Sequence, residues 1–331
     1  MTSELSRMTD AITPWAIRVV ATLRVADRLA DGPLPVGELA GQVGADQDAL
    51  LRVLRYLVHF GLFTESAAGT FGLTPLGEGL RDDHPSGRRG WLDLDGVAGR
   101  IDLAFTGLLH TVRTGRPAYP EVHGRPFWTD LAQNEHLAAS FDALMAGHAS
   151  WFAQVATAYD WSGTRTVVDV GGGTGELLIA LLEEVSHLKG TVVDVPATAK
   201  AARDHIAKAG LAERCEVVEG DFFDALPPGA DRYLLSNVLH DWDDENAIAI
   251  LRRCAEAAGP NGAVLLVEEL ADEEATGLDI ARMDLRMFVL TGGKERSAAE
   301  FGTLAAEVGL RTGTVTPTPS GHTIIELRPD E

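Results

Sequence analysis

The first eighty residues carry apolar side chains at helical spacing and then in two short strand-like runs. Between residues 11 and 30 they recur every three or four positions, which predicts one helix ending before Pro33. A second short helix is predicted at 36–40, and Asp46 is the predicted N-cap of a third that reaches Phe60. The strand-like runs lie at 62–64 and 70–74. Helix, helix and hairpin is the outline of a winged helix.

After a mostly helical stretch at 91–159, the pattern changes at Trp161 to short apolar runs separated by helical segments. The predicted strands are 166–170, 191–195, 215–218, 233–236 and 263–267. The predicted helices between them are 175–188, 198–209 and 246–258. Such alternation predicts βαβ units, so we expect an α/β fold with a doubly wound, mostly parallel Rossmann-like sheet. Ligands of such folds bind at the carboxyl ends of the strands.

The charge of the chain distinguishes a DNA-binding role of the winged-helix outline from a packing role. The chain has 331 residues with 28 Lys plus Arg against 49 Asp plus Glu, a formal net charge of −21. Residues 1–100 hold 10 Arg, no Lys and 13 acids, and the would-be recognition helix offers only Arg52 and Arg55. Binding to phosphates needs clustered positive charge. We therefore expect a packing or dimerisation module, with neither nucleic acid nor an anionic membrane surface as partner.

Membrane and export signals are also missing from the sequence. No stretch reaches 18 uninterrupted apolar residues, and the N-terminus lacks the basic-then-apolar layout of a signal peptide. The two cysteines, Cys215 and Cys254, are too few to build a disulfide framework and are interpreted as small buried residues in a reducing compartment. These features predict a cytoplasmic protein.

A glycine-rich segment, Val-Asp-Val-Gly-Gly-Gly-Thr-Gly-Glu at 168–176, follows the first predicted strand of the sheet and opens a helix. By itself it is a weak signal, because many α/β proteins use such a loop only to turn the chain. The dinucleotide fingerprint fails, since its third glycine would have to be Glu176, and the lysine of a phosphate loop is absent. Gly171 and Gly173 remain, with Asp194 at the end of the next strand, where it can accept from ribose hydroxyls. A nucleoside without phosphates fits, and S-adenosylmethionine is one.

The third predicted strand of the sheet ends in Glu-Gly-Asp-Phe-Phe. Asp221 can accept from an adenine amino group, and Phe222 can pack on the ring face. The alternative for Phe222 and Phe223 is ordinary core packing, because Phe is commonly buried.

Several further motifs resemble one family. They are Leu-Ser-Asn-Val-Leu-His-Asp-Trp at 235–242, Val-Glu-Glu at 267–269, Asp-Leu-Arg-Met-Phe at 284–288 and Gly-Gly-Lys-Glu-Arg-Ser at 292–297. Nearly the whole chain resembles the small-molecule O-methyltransferases of the plant caffeate and bacterial polyketide type. It is most similar in kind to actinomycete enzymes that methylate hydroxyls on aromatic intermediates of antibiotic pathways.

The resemblance implies that His240 is the general base, and the chemistry agrees. A phenol has a pKa of about 10, so it is mostly protonated at neutral pH, and an imidazole can take its proton as the oxygen attacks a methyl group. In the family, acids matching Glu268 and Glu295 orient the base, with Glu269 as the alternative to Glu268. A lone histidine at a strand end would more often cap a helix; its setting in Leu-His-Asp-Trp favours catalysis.

The resemblance also implies contacts for the two ligands. Ser236 is expected beside the adenosine and Asp241 near the methionine part. Trp242 is expected near the adenine, or alternatively as a buried residue that fills the core. Met145, Met283 and Met287 are expected beside the aromatic substrate, although methionine is also a common gap filler. Arg286 could bind a substrate carboxylate, or it could pair with Asp284 or another surface acid.

The family implies three segments: a winged-helix-like dimerisation domain at 1–95, a helical connector at 96–160 that contributes to the substrate pocket, and an S-adenosylmethionine-binding catalytic domain at 161–331. The expected protein is a homodimeric O-methyltransferase that methylates an aromatic hydroxyl in secondary metabolism, yields S-adenosylhomocysteine and uses no metal. Three alternatives stay open: a hydroxylase or decarboxylase on the same fold, a winged-helix DNA-binding regulator, and N- or C-methylation.

Overall fold

The computed structural model describes residues 4–67, 69–146, 151–271 and 277–330. By compactness the chain divides into an N-terminal unit, Met1–Leu103 with His136–Leu144, and a C-terminal unit, Ala104–Glu135 with Met145–Glu331. The segment 96–160 is divided between the two units. Its part in a substrate pocket stays a prediction, as do the predicted domain limits.

The elements are numbered in chain order. The helices are α1 Glu4–Met8, α2 Ile12–Thr22, α3 Val25–Arg28, α4 Val36–Val43, α5 Gln47–Val58, α6 Pro75–Glu78, α7 Val97–Ala104, α8 Leu108–Thr114, α9 Tyr119–His123, α10 Phe127–Gln133, α11 Glu135–Ala146, α12 Phe152–Ala158, α13 Glu176–Glu184, α14 Pro196–Lys208, α15 Asp244–Ala258, α16 Leu278–Leu290 and α17 Ala298–Ala306. The strands are β1 Leu34–Pro35, β2 Phe63–Ala67, β3 Thr70–Leu73, β4 Thr166–Val170, β5 Lys189–Asp194, β6 Cys215–Glu219, β7 Arg232–Ser236, β8 Ala263–Glu269, β9 Leu310–Pro317 and β10 His322–Pro329. Among the described residues, no helix combines the length and apolar character needed to cross a membrane.

The single helix predicted at 11–30 is wrong. Arg24 has a left-handed backbone (φ 54°) that separates α2 from α3. Val25 and Leu29, beyond the break, are almost completely buried in the core of the unit. Both helices keep an apolar face, so spacing alone does not reveal a single left-handed residue between them. The N-cap prediction is confirmed, because the Asp46 carboxylate accepts from the Ala49 amide at 2.9 Å.

The N-terminal unit has the hairpin of the winged-helix outline, with β3 paired antiparallel to both β2 and β1. The arginines of α5 are engaged by acids of the same unit. Arg52 Nη2 lies 2.7 Å from Asp48, and Arg55 Nη2 lies 2.9 Å from Glu65. The helix that would read DNA therefore presents neutralised arginines rather than a positive face.

The C-terminal unit contains a seven-stranded sheet in the order β6-β5-β4-β7-β8-β10-β9. Strands β4 to β8 pair in parallel and are the five predicted from sequence. The antiparallel edge, in which β10 lies between β8 and β9, adds two strands that the sequence patterns did not reveal. The predicted α/β, mostly parallel fold is confirmed.

Helices cover both faces of this sheet. On one face Val168 and Val170 pack in a core with residues of α15 and α17, and on the other Val167 packs with residues of α12, α13 and α14. Side chains alternate along a strand, so Asp169 shares the face of Val167. β4 lies between β5 and β7, the point where the strand order reverses. In such sheets the crevice beyond the carboxyl ends at the reversal is the expected ligand site.

Candidate active site

The glycine loop, residues 171–175, leaves the carboxyl end of β4 at this crevice. Gly171, Gly173 and Gly175 all have left-handed backbones, with φ of 69°, 60° and 88°, which glycine adopts without strain. The Gly173 amide donates to Asp194 Oδ2 at 2.9 Å. A Cβ on Gly171 would lie 3.3 Å from the Phe222 ring. The fold therefore gathers the loop, the acid at the end of β5 and the aromatic ring after β6.

The other residues predicted to meet a nucleoside lie at the ends of β6 and β7. Asp221 is exposed and accepts from the Phe223 amide at 3.0 Å, while Ser236 is half-buried as the last residue of β7. The Trp242 ring meets the Phe222 and Phe223 rings edge-on, with centroids 5.9 and 4.9 Å apart. This carboxylate, hydroxyl and group of aromatic rings suit a nucleoside. Their individual contacts with one stay predictions.

A buried acid that sequence reasoning did not select lies under the loop. Asp169 is 1% exposed, and neither carboxylate oxygen has a hydrogen-bond partner within the described residues. A Cβ on Gly172 would lie 2.7 Å from Asp169 Oδ2, so only glycine fits above this carboxyl. Burial raises the pKa of Asp169 to about 7, and the charges of Asp194 and Glu176 add to the rise. A buried carboxyl without a donor suits a cationic ligand group. The signal for Asp169 in the sequence is its position as the acid just before the glycine loop.

His240 lies on a single 3-10 turn, Leu239–Asp241, that follows β7. Its Nδ1 is 2.9 Å from Glu295 Oε1, and its Nε2 is 3.8 Å from Asp241 Oδ1. The histidine side chain is 14% exposed and that of Glu295 only 1%. Because Glu295 accepts from Nδ1, the orientation of the ring is fixed. Nε2 then lies too far from the Asp241 carboxylate for a hydrogen bond.

The Gly-Gly-Lys-Glu-Arg motif explains how Glu295 reaches the ring. A Cβ on Gly293 would lie 2.1 Å from the His240 carbonyl oxygen, so this position must be glycine. That close approach lets the Lys294 amide donate to the same carbonyl at 2.9 Å. The next residue, Glu295, is held from behind, where its amide donates to Asp284 Oδ1 of α16 at 3.0 Å.

Glu268, the other predicted orienter, is fully buried in β8 and bonds to the backbone instead of the ring. Its Oε1 accepts from the Leu239 amide at 3.0 Å, while Oε2 has no hydrogen-bond partner in the described chain. Glu269 is the next residue of the strand and is half-buried, so it faces the opposite side of the sheet. Of the three candidates, Glu295 bonds the imidazole and Glu268 fixes the turn that carries it.

The acids change the proton affinity of the base. Burial by itself lowers the pKa of His240, but the charge of Asp241 and the hydrogen bond to Glu295 outweigh it, and with Glu268 they raise this pKa to about 10. Burial raises the pKa of Glu268 to about 7 and that of Asp241 to about 6, against the opposing effect of the imidazole. An acid-rich, poorly hydrated surrounding therefore favours the imidazolium.

Arg296, the residue after Glu295, holds the same turn. The motif in the sequence predicts no role for it. It is 1% exposed, and its guanidinium donates to the carbonyls of Leu239 and Trp242 at 2.9 and 2.8 Å. Asp244 neutralises it at 2.7 Å. Both ends of the histidine turn are thus tied to one planar cation, which suits a fork of fixed donors.

The residues predicted to meet the substrate lie on two helices of the chain. Met283, Arg286 and Met287 lie on α16; the first two are half-buried and Met287 is 7% exposed. Met145, near the end of α11, is 37% exposed. Their contacts with a substrate stay predictions. Sequence reasoning missed Trp128 of α10, whose ring lies nearly parallel to that of Trp242 with centroids 6.4 Å apart.

Comparison with known proteins decides the family. The model of the O-methyltransferase domain matches residues 105–311, and that of the O-methyltransferase dimerisation domain matches residues 6–81. The chain belongs to the O-methyltransferase family. The predicted family and type of enzyme are thereby confirmed.

Two curated relatives of this O-methyltransferase differ in chemistry. A 2,7-dihydroxy-5-methyl-1-naphthoate 7-O-methyltransferase from Streptomyces carzinostaticus is 52% identical over 92% of each chain. An aclacinomycin 10-hydroxylase from Streptomyces purpurascens is 44% identical over 98% of this chain and 89% of its own.

A solved structure covers the whole fold. It is an O-methyltransferase from neocarzinostatin biosynthesis in complex with S-adenosylmethionine and 2-hydroxy-5-methyl naphthoic acid. It is 49% identical, with a TM-score of 0.93 over 99% of both chains.

Proposed function

We propose that this O-methyltransferase transfers a methyl group from S-adenosylmethionine to a hydroxyl of a polycyclic aromatic acid, with His240 as the general base. The observation that carries the proposal is the 2.9 Å contact of His240 Nδ1 with the buried Glu295 carboxylate. A base oriented through one ring nitrogen presents the other to a substrate, which is the arrangement that general-base catalysis requires.

When bound, S-adenosylmethionine supplies a methyl group made electrophilic by its sulfonium. The chain's own residues do the rest. The glycine loop and Asp194 would hold the nucleoside, Phe222 would cover its ring, and Asp169 under the loop would offer charge to a cationic group. His240 Nε2 removes the phenolic proton as the oxygen becomes the nucleophile. Glu295 and Arg296 keep the imidazole in place through the reaction.

Two relatives support the proposed acceptor class. One curated relative is named for a dihydroxy-naphthoate, and the solved relative holds a naphthoic acid. In this chain Met283 and Met287 lie on one face of α16, and thioethers pack adaptably on flat rings. Arg286 on the same helix is the candidate for a substrate carboxylate, because guanidinium and carboxylate match in a two-pronged geometry.

The experiment is a transfer assay on the purified chain with S-adenosylmethionine and a dihydroxy-naphthoic acid. We expect a product one methyl group heavier by mass spectrometry and an equal amount of S-adenosylhomocysteine. A hydroxy-naphthalene of the same ring system without the carboxylate is the matched control, and it should react more slowly if Arg286 contributes. Cofactor turnover without a methylated product would contradict the proposal.

A hydroxylase is the second candidate, because one relative at 44% identity carries that name. Mass spectrometry of the same reaction separates the two, since a hydroxylated product gains an oxygen in place of a methyl group. The oriented His240 favours methylation.

We further propose that the enzyme works as a homodimer in the cytoplasm. The matched dimerisation domain supports the assembly, and the two buried free cysteines are consistent with a reducing compartment. A sedimentation mass of one chain at micromolar concentration would contradict the dimer.

A further inference from the structure

The surroundings of the His240 ring are strongly acidic. We call His240, Asp241, Glu268 and Glu295 the His240 cluster. The three carboxyls reach the histidine from three elements: the 3-10 turn itself, β8, and the loop that follows α16. The nearby cations are already used, since Arg296 pairs with Asp244 and Lys294 pairs with Glu300.

Two carboxylate oxygens of the cluster are buried and have no donor among the residues that the structure describes. They are Glu268 Oε2 and Glu295 Oε2, on residues 0% and 3% exposed, and neither has a hydrogen-bond partner within the described ranges. Three carboxylates surround a single imidazole, so even its protonated form leaves them with an excess of negative charge. Such an imbalance in a poorly hydrated site is reduced by a positively charged ligand.

The same imbalance is a problem for catalysis. With the pKa of His240 raised to about 10, the imidazole is protonated at neutral pH. An imidazolium donates from both nitrogens and has no lone pair with which to accept the proton of a phenol. A base built this way needs a further positive charge nearby before it can act.

We propose that the positive charge of the bound methyl donor, rather than its binding as such, releases the proton from His240 and so switches the base on. The proposal rests on the proposed function and adds a regulation of the same site. S-adenosylhomocysteine has the same amino, carboxylate and nucleoside groups but a neutral sulfur, so it should leave His240 protonated.

Charge is conserved through the cycle. During transfer the methyl–sulfur bond breaks with its electron pair left on sulfur, the new carbon–oxygen bond forms, and the phenolic proton moves to His240 Nε2. The His240 cluster thus faces one positive charge before the step, on sulfur, and one after it, on the imidazole. A unit charge a few ångströms away in a protein interior shifts a pKa by on the order of 2 units.

The test counts protons released on binding, without any acceptor. Calorimetric titrations are run at about pH 8 in two buffers of different ionisation enthalpy, once with S-adenosylmethionine and once with S-adenosylhomocysteine. We expect S-adenosylmethionine to release about half a proton more, because a shift of about 2 units from about 10 leaves the imidazole half-protonated at pH 8. Equal release by the two ligands would overturn the proposal. A chain that binds neither ligand would contradict the proposed function itself, so the two failures are distinguishable.

Two variants assign the proton. In His240→Gln the difference between the ligands should vanish; a difference that persists would place the proton elsewhere and overturn the proposal. Glu268→Gln keeps the shape of the side chain but removes one charge, so the ring of His240 should titrate at lower pH by NMR in the cofactor-free protein. Glu256→Gln, at an exposed position of α15, is the matched control and should leave that titration unchanged. An unchanged titration in Glu268→Gln would also count against the proposal.

Discussion

Two groups of acids lie at the carboxyl edge of the same sheet, and they are built differently. The His240 cluster surrounds a titratable base, and its acids are tied to backbone and ring. The loop acids, Asp169, Glu176 and Asp194, lie at the glycine loop away from His240. Glu176 is 3.0 Å from His205 Nδ1 on α14, and Asp169 has no hydrogen-bond partner in the described residues. The contrast separates two tasks: one group tunes a proton acceptor, and the other keeps negative charge in place for a ligand.

The difference predicts separable defects. Changes in the His240 cluster should alter the rate and its pH dependence, while changes in the loop acids should alter cofactor affinity and the pH dependence of stability.

The largest effect is expected for His240→Ala. Loss of a general base lowers the rate by about 10²–10⁴-fold. S-adenosylmethionine should bind no more weakly than to the wild type, because the loop acids are intact and the charge of the protonated imidazole is removed. Steady-state turnover and calorimetry measure the two quantities. His59→Ala, at an exposed position in the N-terminal unit, is the control. Full turnover in His240→Ala would contradict the general-base assignment. A loss of cofactor affinity as large as the loss of turnover would contradict separate tasks for the His240 cluster and the loop acids.

A smaller effect is expected for Asp194→Ala. Loss of a carboxylate that binds ribose hydroxyls and holds the Gly173 amide should weaken cofactor binding by about 10- to 100-fold. Turnover at saturating cofactor should change little. Asp204→Ala, on the exposed side of α14, serves as control. An unchanged dissociation constant would contradict the ribose assignment.

A separate effect, on stability rather than on rate or affinity, is expected for Asp169→Asn. The pKa of Asp169, about 7 in the fold, lies above its ordinary 3.8, so the folded chain binds this proton more tightly than the unfolded chain. The carboxyl therefore lowers the free energy of unfolding as pH rises from about 4 to 7, and the loss persists above 7. Asn does not ionise, so the variant should gain about 4 kcal/mol relative to wild type between pH 4 and 8, from a pKa rise of about 3 units. Urea unfolding at both values, with Asp224→Asn as control, measures this, and a difference independent of pH would refute it.

Much of the fold could be predicted from local pattern. The five parallel strands, the helices between them and the Asp46 cap follow from apolar runs and capping chemistry, because these signals lie within a few neighbouring residues. The antiparallel edge strands were not predicted. The break at Arg24 was not predicted either, because the apolar spacing of the two helices continues across it.

The site shows the same division. The glycine loop with Asp194, and the motifs that carry His240, Glu268 and Glu295, could be found in the sequence, and the family follows from them. Different tasks for Glu268 and Glu295 could not be assigned, since both are simply acids near a histidine until their partners are known. Arg296 and Asp169 were overlooked because their importance lies in burial and in what surrounds them.

The sequence by itself determined the five parallel strands with the helices between them, the loop for a nucleoside and the chemical groups available for proton transfer. Only the tertiary structure decided which acid meets which nitrogen, which carboxyl is left without a donor, and how far the pKa of His240 rises. The reason is physical: residue types and spacing are local, but a pKa depends on desolvation and on charges brought together from the 3-10 turn after β7, from β8 and from the loop after α16.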